Sequence, residues 1–142
     1  MTTSDVARTL PPVTATAEPY WEGCREGELR LQRCTRCERF QFYPRIVCSH
    51  CGHDELQWEP VSGRGRVASF TVVRRGISPA YTAPYVVALI DLEEGPRMMS
   101  EVVDCDPDSV AVGASVAVRF EPWGAEQELP VFAPDTNMVT GE

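Results

Sequence analysis

No apolar run in this sequence is long enough to cross a bilayer. The longest, Tyr85-Val86-Val87-Ala88-Leu89-Ile90, is strand length and stops at Asp91, far short of the ~20 residues a spanning helix needs. The first residues include Asp5 and Arg8 but no apolar stretch of the kind a secretory signal carries. The expectation is a cytoplasmic chain that does not enter a membrane. Histidine is scarce: only His50 and His53 are present. That shortage leaves a Ser or Cys nucleophile without the nearby base it needs. Glycine-rich phosphate loops are missing as well, since Gly63-Arg64-Gly65 lacks the rest of either nucleotide fingerprint. Asp104, Asp106 and Asp108 alternate like a calcium loop but have neither the glycine bend nor the closing glutamate, so they read as a solvated loop. No E-x-x-H pair, internal repeat or low-complexity block appears. Lysine is absent altogether, and no mechanism follows from that.

What charge there is lies unevenly. The chain of 142 residues has a net charge of −8. Residues 1–66 carry nine arginines and nine acidic residues, whereas residues 67–142 carry four arginines and twelve acidic residues. An acidic second half is a poor companion for a phosphate backbone, which is bound mainly through basic charge. Apolar residues make up 43%, enough for a packed core, and the length allows one domain or two small ones.

Against this background the cysteines stand out. Cys34-Thr35-Arg36-Cys37 and Cys48-Ser49-His50-Cys51 are two C-x-x-C pairs separated by ten residues. Two residues between paired cysteines let one tight turn aim both sulfurs at a single point. Four thiolates then complete the tetrahedron of a structural Zn²⁺; iron in a rubredoxin-like site is the competing chemistry. With four protein ligands the site has no open position for water, which argues against metal catalysis. Gly52 follows the second pair, free of Cβ strain, but Glu38 holds the equivalent place after the first and should cost that turn some geometry. His50 and His53 read as loop histidines. Cys24 and Cys105 are left over, without paired spacing or a dedicated base.

Local patterns place the elements. Residues 1–17 and 135–142 read as tails. Glu18-Pro19-Tyr20-Trp21-Glu22-Gly23 opens a short helix, with Pro19 tolerated in its first turn. Alternation marks ribbon strands at 28–33, 40–43 and 56–59. A ribbon this small cannot bury enough surface to stand without a metal. Residues 18–62 are therefore assigned to a helix and zinc ribbon. Gly63-Arg64-Gly65 reads as a hinge. Five strands follow, at 67–73, 85–92, 97–103, 115–121 and 129–133, with a tight turn at Glu94-Gly95-Pro96 and one helical turn beginning at Asp106-Pro107-Asp108. Five short strands without a long helix predict an OB-type barrel over 63–134. The fold class is mainly β: lead-in helix, four-cysteine ribbon, five-stranded barrel. The loop 74–84 lies at a barrel mouth, a usual ligand position in such folds. Its Arg74-Arg75 pair either meets a phosphate or is simply solvated. Tyr20 and Trp21 read first as aromatics that bury against the ribbon or barrel, with a partner surface as the alternative; together with Phe42 and Tyr43 they are the candidates for such a surface.

The order of parts resembles the DUF35 family, zinc-ribbon plus OB-fold proteins associated with acyl-CoA enzymes. The likeness is carried by Tyr20-Trp21-Glu22-Gly23, Leu31-Gln32-Arg33-Cys34, Pro44-Arg45, Cys48-Ser49-His50-Cys51-Gly52, Ser62-Gly63-Arg64-Gly65, Ser69-Phe70-Thr71-Val72-Val73, Pro84-Tyr85 and Pro130-Val131-Phe132. It covers residues 18–134. The resemblance implies a helper subunit whose catalytic residues lie on a thiolase-like partner, with a structural zinc on Cys34, Cys37, Cys48 and Cys51. An acyl-CoA is then the substrate of the complex, and Arg74, Arg75, Tyr81 and Tyr85 become candidate CoA contacts. By analogy the partner is a sterol-carrier-type thiolase or retro-aldolase of steroid side-chain degradation; an acyltransferase complex of secondary metabolism is an alternative. A different class, a single-stranded nucleic-acid-binding OB fold, would need a basic groove with stacking aromatics, and Arg74, Arg75 and Arg119 make a thin one.

Overall fold

The computed structural model describes residues 12–124 and 127–135. Helix α1 (Glu18–Arg25) has Pro in its first turn, an acidic residue at its start and Arg25 at its end. These suit the orphan N–H groups and the dipole at each terminus. Its exit is set by Gly27 at φ +81°. That turn lets Glu28 N–H reach the Gly23 carbonyl at 2.8 Å and Gly27 N–H the Cys24 carbonyl at 3.2 Å, so the last carbonyls of the helix are satisfied.

The ribbon is a three-stranded antiparallel sheet of β1 (Arg30–Cys34), β2 (Phe40–Gln41) and β3 (Leu56–Pro60), ordered β2-β1-β3. Strands β4 (Arg64–Val73), β5 (Tyr85–Leu92), β6 (Arg97–Val102), β7 (Ser115–Trp123) and β8 (Gln127–Pro134) form a closed barrel in the order β4-β5-β6-β8-β7. Every neighbouring pair is antiparallel except β6 and β8, which run parallel at Val102 and Phe132. This is the five-stranded OB arrangement. Closure depends on β4: its register shifts between Val67 and Ser69, and its first residues also pair with β7. A bulge bends a strand and raises its twist, which lets β4 serve both edges of the barrel. A single turn of 3₁₀ helix (Pro107–Ser109) precedes β7, started by the Asp106 side chain accepting from Asp108 N–H.

β5 alternates half-buried and buried residues along its whole length, so Val86, Ala88, Ile90 and Leu92 point inward. They belong to one cluster with Phe132, Val116 and Met98 of the barrel, and with Tyr20, Trp21, Cys24, Leu29 and Leu31 of the helix and ribbon. One continuous core therefore spans both parts. Gly63, read from sequence as a hinge, is pinned. It is buried, it has φ +77°, its carbonyl accepts from Val118 N–H at 2.7 Å, and an added Cβ would stand 2.3 Å from Val118 Cγ1. Tyr20 and Trp21 are also buried, with ring centroids 5.0 Å apart and edge to face. They close the core and are unavailable as a partner surface. The turn at Glu94-Gly95-Pro96 is as expected, with Gly95 at φ +119°.

Candidate metal centre and the mouth of the barrel

The two C-x-x-C turns are built alike. In each, the residue two beyond the first cysteine and the second cysteine itself aim their N–H groups at the first sulfur. Arg36 and Cys37 approach Cys34 Sγ at 3.3 and 3.4 Å; His50 and Cys51 approach Cys48 Sγ at 3.3 and 3.4 Å. Glu38 N–H closes onto the Cys34 carbonyl at 3.0 Å, and Gly52 N–H onto Cys48 at 2.9 Å. Cys34 and Cys48 N–H then reach the carbonyls of Arg39 and His53 at 3.0 and 2.8 Å. The left-handed residue each turn needs is Gly52 at φ +81° and Glu38 at φ +66°. Glu38 therefore adopts the glycine conformation in full, and the departure seen in the sequence leaves the geometry intact.

All four Sγ atoms lie within 4.8 Å of one another, with Cys34–Cys51 and Cys37–Cys48 each at 3.6 Å. A regular tetrahedron with Zn–S of about 2.3 Å puts its sulfurs about 3.8 Å apart. The donor set thus fits one tetrahedral thiophilic ion. Burial opposes ionisation of Cys48, but N–H donation from Cys51 and His50, with the thiols of Cys37 and Cys51 beside it, outweighs that and lowers the thiol, while its neighbour Cys37 is pushed up in turn. Such donation favours the thiolate a metal needs. Neither histidine joins the sulfurs. His50 stands with Nε2 3.2 Å from the Phe40 carbonyl and Nδ1 3.4 Å from Arg39, and His53 lies 3.8 Å from the Glu55 carboxylate. Of the leftover cysteines, Cys24 is fully buried in the shared core, and that burial raises its thiol to about 12. It is an apolar packing residue, not a nucleophile.

At the barrel mouth the sequence candidates separate. Arg74 donates to Asp108 at 2.7 Å, so its charge is already answered. Arg75 is exposed and has no ion pair among the described residues. Tyr81 and Tyr85 do come together, ring centroids 6.4 Å apart, and Trp123 stands 6.5 Å from Tyr81. The sequence reading did not single out Trp123; an aromatic beside Pro122 and Gly124, where the fourth barrel strand breaks, is the signal that could have found it.

Gln32 and Gln41 fall at the polar positions of alternating strands, which by pattern alone would face solvent. Both are buried, beneath the loop 42–47 that connects β2 to Cys48. Gln32 Nε2 donates to the Arg45 carbonyl at 2.8 Å, and its Oε1 accepts from Arg45 N–H at 2.9 Å and from Gln41 Nε2 at 2.6 Å. Gln41 Oε1 accepts from Ser49 N–H at 2.8 Å. Every polar atom of the pair is engaged, as burial of two carboxamides demands.

Comparison with known proteins agrees with this architecture. Residues 21–57 match the ChsH2 rubredoxin-like zinc ribbon domain, and residues 58–121 match the ChsH2 C-terminal OB-fold domain. A DUF35 domain-containing scaffold protein of Methanothermobacter thermautotrophicus is 39% identical over 71% of this chain and 77% of its own. The 3-oxo-4,17-pregnadiene-20-carboxyl-CoA hydratase alpha subunit of Mycobacterium tuberculosis is 35% identical over 82% of this chain. A probable enoyl-CoA hydratase alpha subunit of Thermomonospora curvata is 32% identical over 89% of it. This chain spans only 37% and 40% of those two hydratase subunits. Among solved structures, a chain of an Ltp2-ChsH2(DUF35) aldolase superposes with a TM-score of 0.81 at 32% identity, covering 88% of this chain and 98% of that one. A zinc-ribbon match, an OB-fold match in the same order, and likeness over most of the length of DUF35 proteins on a structure with both parts lead to one assignment: the chain belongs to the DUF35 family.

Proposed function

We propose that this chain is a non-catalytic subunit of an acyl-CoA enzyme complex, holding a structural Zn²⁺ and binding a thiolase-like partner that performs the chemistry. The observation that carries the reading is the closed four-sulfur centre. Cys34, Cys37, Cys48 and Cys51 would fill a tetrahedron between them, leaving no position for substrate or water. Zinc in such a site supplies folding free energy; this chain's own part is to preset two turns whose N–H groups favour the thiolates. A thiolate cluster of this kind suits a reducing compartment, the cytoplasm. Several relatives support the partner. They are named as scaffold proteins, as hydratase alpha subunits, as a benzoylsuccinyl-CoA thiolase subunit of Geobacter metallireducens and as part of an aldolase with Ltp2. A thiolase-fold retro-aldolase acting on steroid side-chain CoA thioesters is the specific partner favoured. An acyltransferase of secondary metabolism is the alternative.

The substrate's CoA would pass the barrel mouth, where Arg75 offers charge and Tyr81 and Tyr85 offer aromatic faces. Arg74, bound to Asp108, would orient the loop instead of the ligand. The test is co-expression with the thiolase-like subunit of the same organism. The expected result is co-elution, one zinc per chain, and thioester turnover that needs both chains. Turnover by this chain alone, or a partner that neither co-elutes nor responds to it, refutes the proposal. A nucleic-acid role is less favoured because Arg74 and Arg119 are each held by an aspartate, Asp108 and Asp104, which leaves little basic groove. A salt-sensitive mobility shift of a labelled oligonucleotide would reopen it.

A further inference from the structure

The loop 42–47 presents apolar side chains to water on an unusually firm base. Tyr43 is 59% exposed, Ile46 77% and Val47 41%. Isolated exposed apolar residues are ordinary, but these three lie within five residues on one short connection. Its backbone is fixed from both sides. Cys48 anchors one end in the sulfur cluster, and the buried Gln32 grips the Arg45 peptide at both its N–H and its carbonyl. Gln41 reaches the Val47 carbonyl at 3.4 Å and the Ser49 N–H at 2.8 Å. A buried, fully connected carboxamide pair enforces one backbone conformation. Here that conformation turns Tyr43, Ile46 and Val47 outward. Contacts made by such a preset loop lose little conformational entropy on binding.

The charge around it is also distinctive. Arg30, Arg33, Arg64, Arg74, Arg97 and Arg119 each lie within 4.0 Å of a carboxylate. Among the described residues Arg25, Arg36, Arg39, Arg45, Arg66 and Arg75 have no such partner; of these Arg45 lies within this loop and Arg39 three residues before it. Arg39 and Arg45 line, with Phe42 and Tyr43, a cleft of about 550 Å³ between the ribbon and the β5–β6 turn, whose far walls include Glu38 and Glu94. In a chain of net charge −8, the loop 42–47 itself carries Arg45 and no carboxylate. Its complement is an apolar recess rimmed by carboxylates. A nucleic acid is a poorer fit, since Ile46 and Val47 offer no ring on which a base stacks.

We propose that the loop 42–47 is the anchor by which this chain docks into an acid-rimmed apolar recess on its thiolase-like partner subunit, a surface separate from the barrel mouth. The inference rests on the subunit role proposed above. It is tested by titrating the purified, zinc-loaded full chain into that partner at low and moderate salt. The variants are Ile46→Asp, Arg45→Glu and, as a control on the barrel, Ile77→Asp, whose side chain is 80% exposed. Each is first checked for one zinc per chain and an unchanged melting temperature, so that misfolding is separated from lost contact. Central anchors are expected to matter most. Ile46→Asp should weaken binding at least about thirtyfold, Arg45→Glu should weaken it and flatten its salt dependence, and Ile77→Asp should stay within about twofold. A folded Ile46→Asp that binds like wild type, or an equal loss in Ile77→Asp, overturns the docking surface and leaves the subunit role standing. Failure of the wild-type chain to bind removes the subunit role itself. Self-association of the wild type that Ile46→Asp abolishes would assign the loop to a second copy and overturn the proposal.

Discussion

Exchanging the two left-handed residues of the metal turns isolates backbone strain from ligand chemistry. Glu38 and Gly52 occupy equivalent places at φ +66° and +81°, beyond sulfurs that neither residue touches. For an L-residue the left-handed region costs roughly 1–2 kcal/mol. Glycine escapes that cost but gives up about 0.5–1 kcal/mol of chain entropy on folding. Glu38→Gly should therefore stabilise the ribbon by about 0.5–1 kcal/mol. The side chain it removes is 71% exposed and only 3.9 Å from Arg33, an ion pair worth little. Gly52→Ala should cost about 1 kcal/mol through strain alone, because an added Cβ meets nothing within 4 Å. If the ribbon folds only with its metal, these energies appear in metal affinity, where about 1 kcal/mol is roughly a fivefold change. Competition against a chromophoric chelator would measure both variants. The expected result is tighter zinc in Glu38→Gly and weaker zinc in Gly52→Ala. Weaker binding in Glu38→Gly would show that the glutamate side chain is used, and would refute the strain argument.

Three further outcomes follow from the packing. Gly63→Ala drives a Cβ to 2.3 Å from Val118 Cγ1 at φ +77° and should cost on the order of 3 kcal/mol, a drop of several degrees in melting temperature. With zinc in place, iodoacetamide at pH 8 should label Cys105 alone, since Cys24 is buried and the other four sulfurs are ligands; mass spectrometry of the intact chain counts the adducts. Burial raises Cys24 from 9.0 to about 12, so its contribution is whole below pH 9. Between about 9 and 12 the unfolded chain gives up a proton that the folded one keeps, so stability falls as pH rises through that window. Cys24→Ala should reduce that alkaline slope in urea titrations. Asp91→Asn removes a two-point contact with Arg97 at 2.6 and 3.1 Å. Both side chains are half-exposed, so the loss in urea midpoint should correspond to no more than about 0.5–1 kcal/mol.

Much of this was legible in the residues because the deciding signals are local. Two C-x-x-C pairs fix where four sulfurs converge, and alternation with Gly-containing turns fixes eight strands close to their observed bounds. The order in which the barrel closes was not legible, since no periodicity says that β8 lies between β6 and β7. Missed features share one cause: each depends on what arrives from elsewhere in the chain. Gln32 lies on the polar face of β1, and only the return of the loop 42–47 buries it. Arg74 looks free until the turn at Pro107 brings Asp108 to it. Tyr20 and Trp21 could bury or face a partner as far as the sequence goes, and Phe42, arriving from beyond β2 to 5.8 Å from Tyr20, belongs to the packing that decides for burial. Glu38 was suspect because its type is wrong for the turn, yet four sulfurs held at one point outweigh a preference of about a kcal/mol.

Removing the metal should be felt well beyond the sulfurs. β1 ends on Cys34, and the same strand carries Leu31, with Leu29 just before it; they are 0% and 2% exposed in one cluster with Phe132 and Ile90 of the barrel. A ribbon of about 40 residues has too little core of its own to survive without the ion. If its collapse withdraws both leucines, the barrel loses about 1.5–3 kcal/mol for each. That is a large part of a typical stability of 5–15 kcal/mol. Chelation should therefore lower the melting temperature of the whole chain, shift Trp21 emission to the red and speed amide exchange in β5 and β8 as well as in β1. Full protection of Tyr85–Leu92 in the metal-free chain would mean that the ribbon is a dispensable attachment. The contrary result predicts that Cys37→Ser, which touches no reacting atom, also disrupts assembly with the partner proposed above. The loop 42–47 is tethered at Cys48, so the ion, the knob and the barrel stand or fall on one shared core.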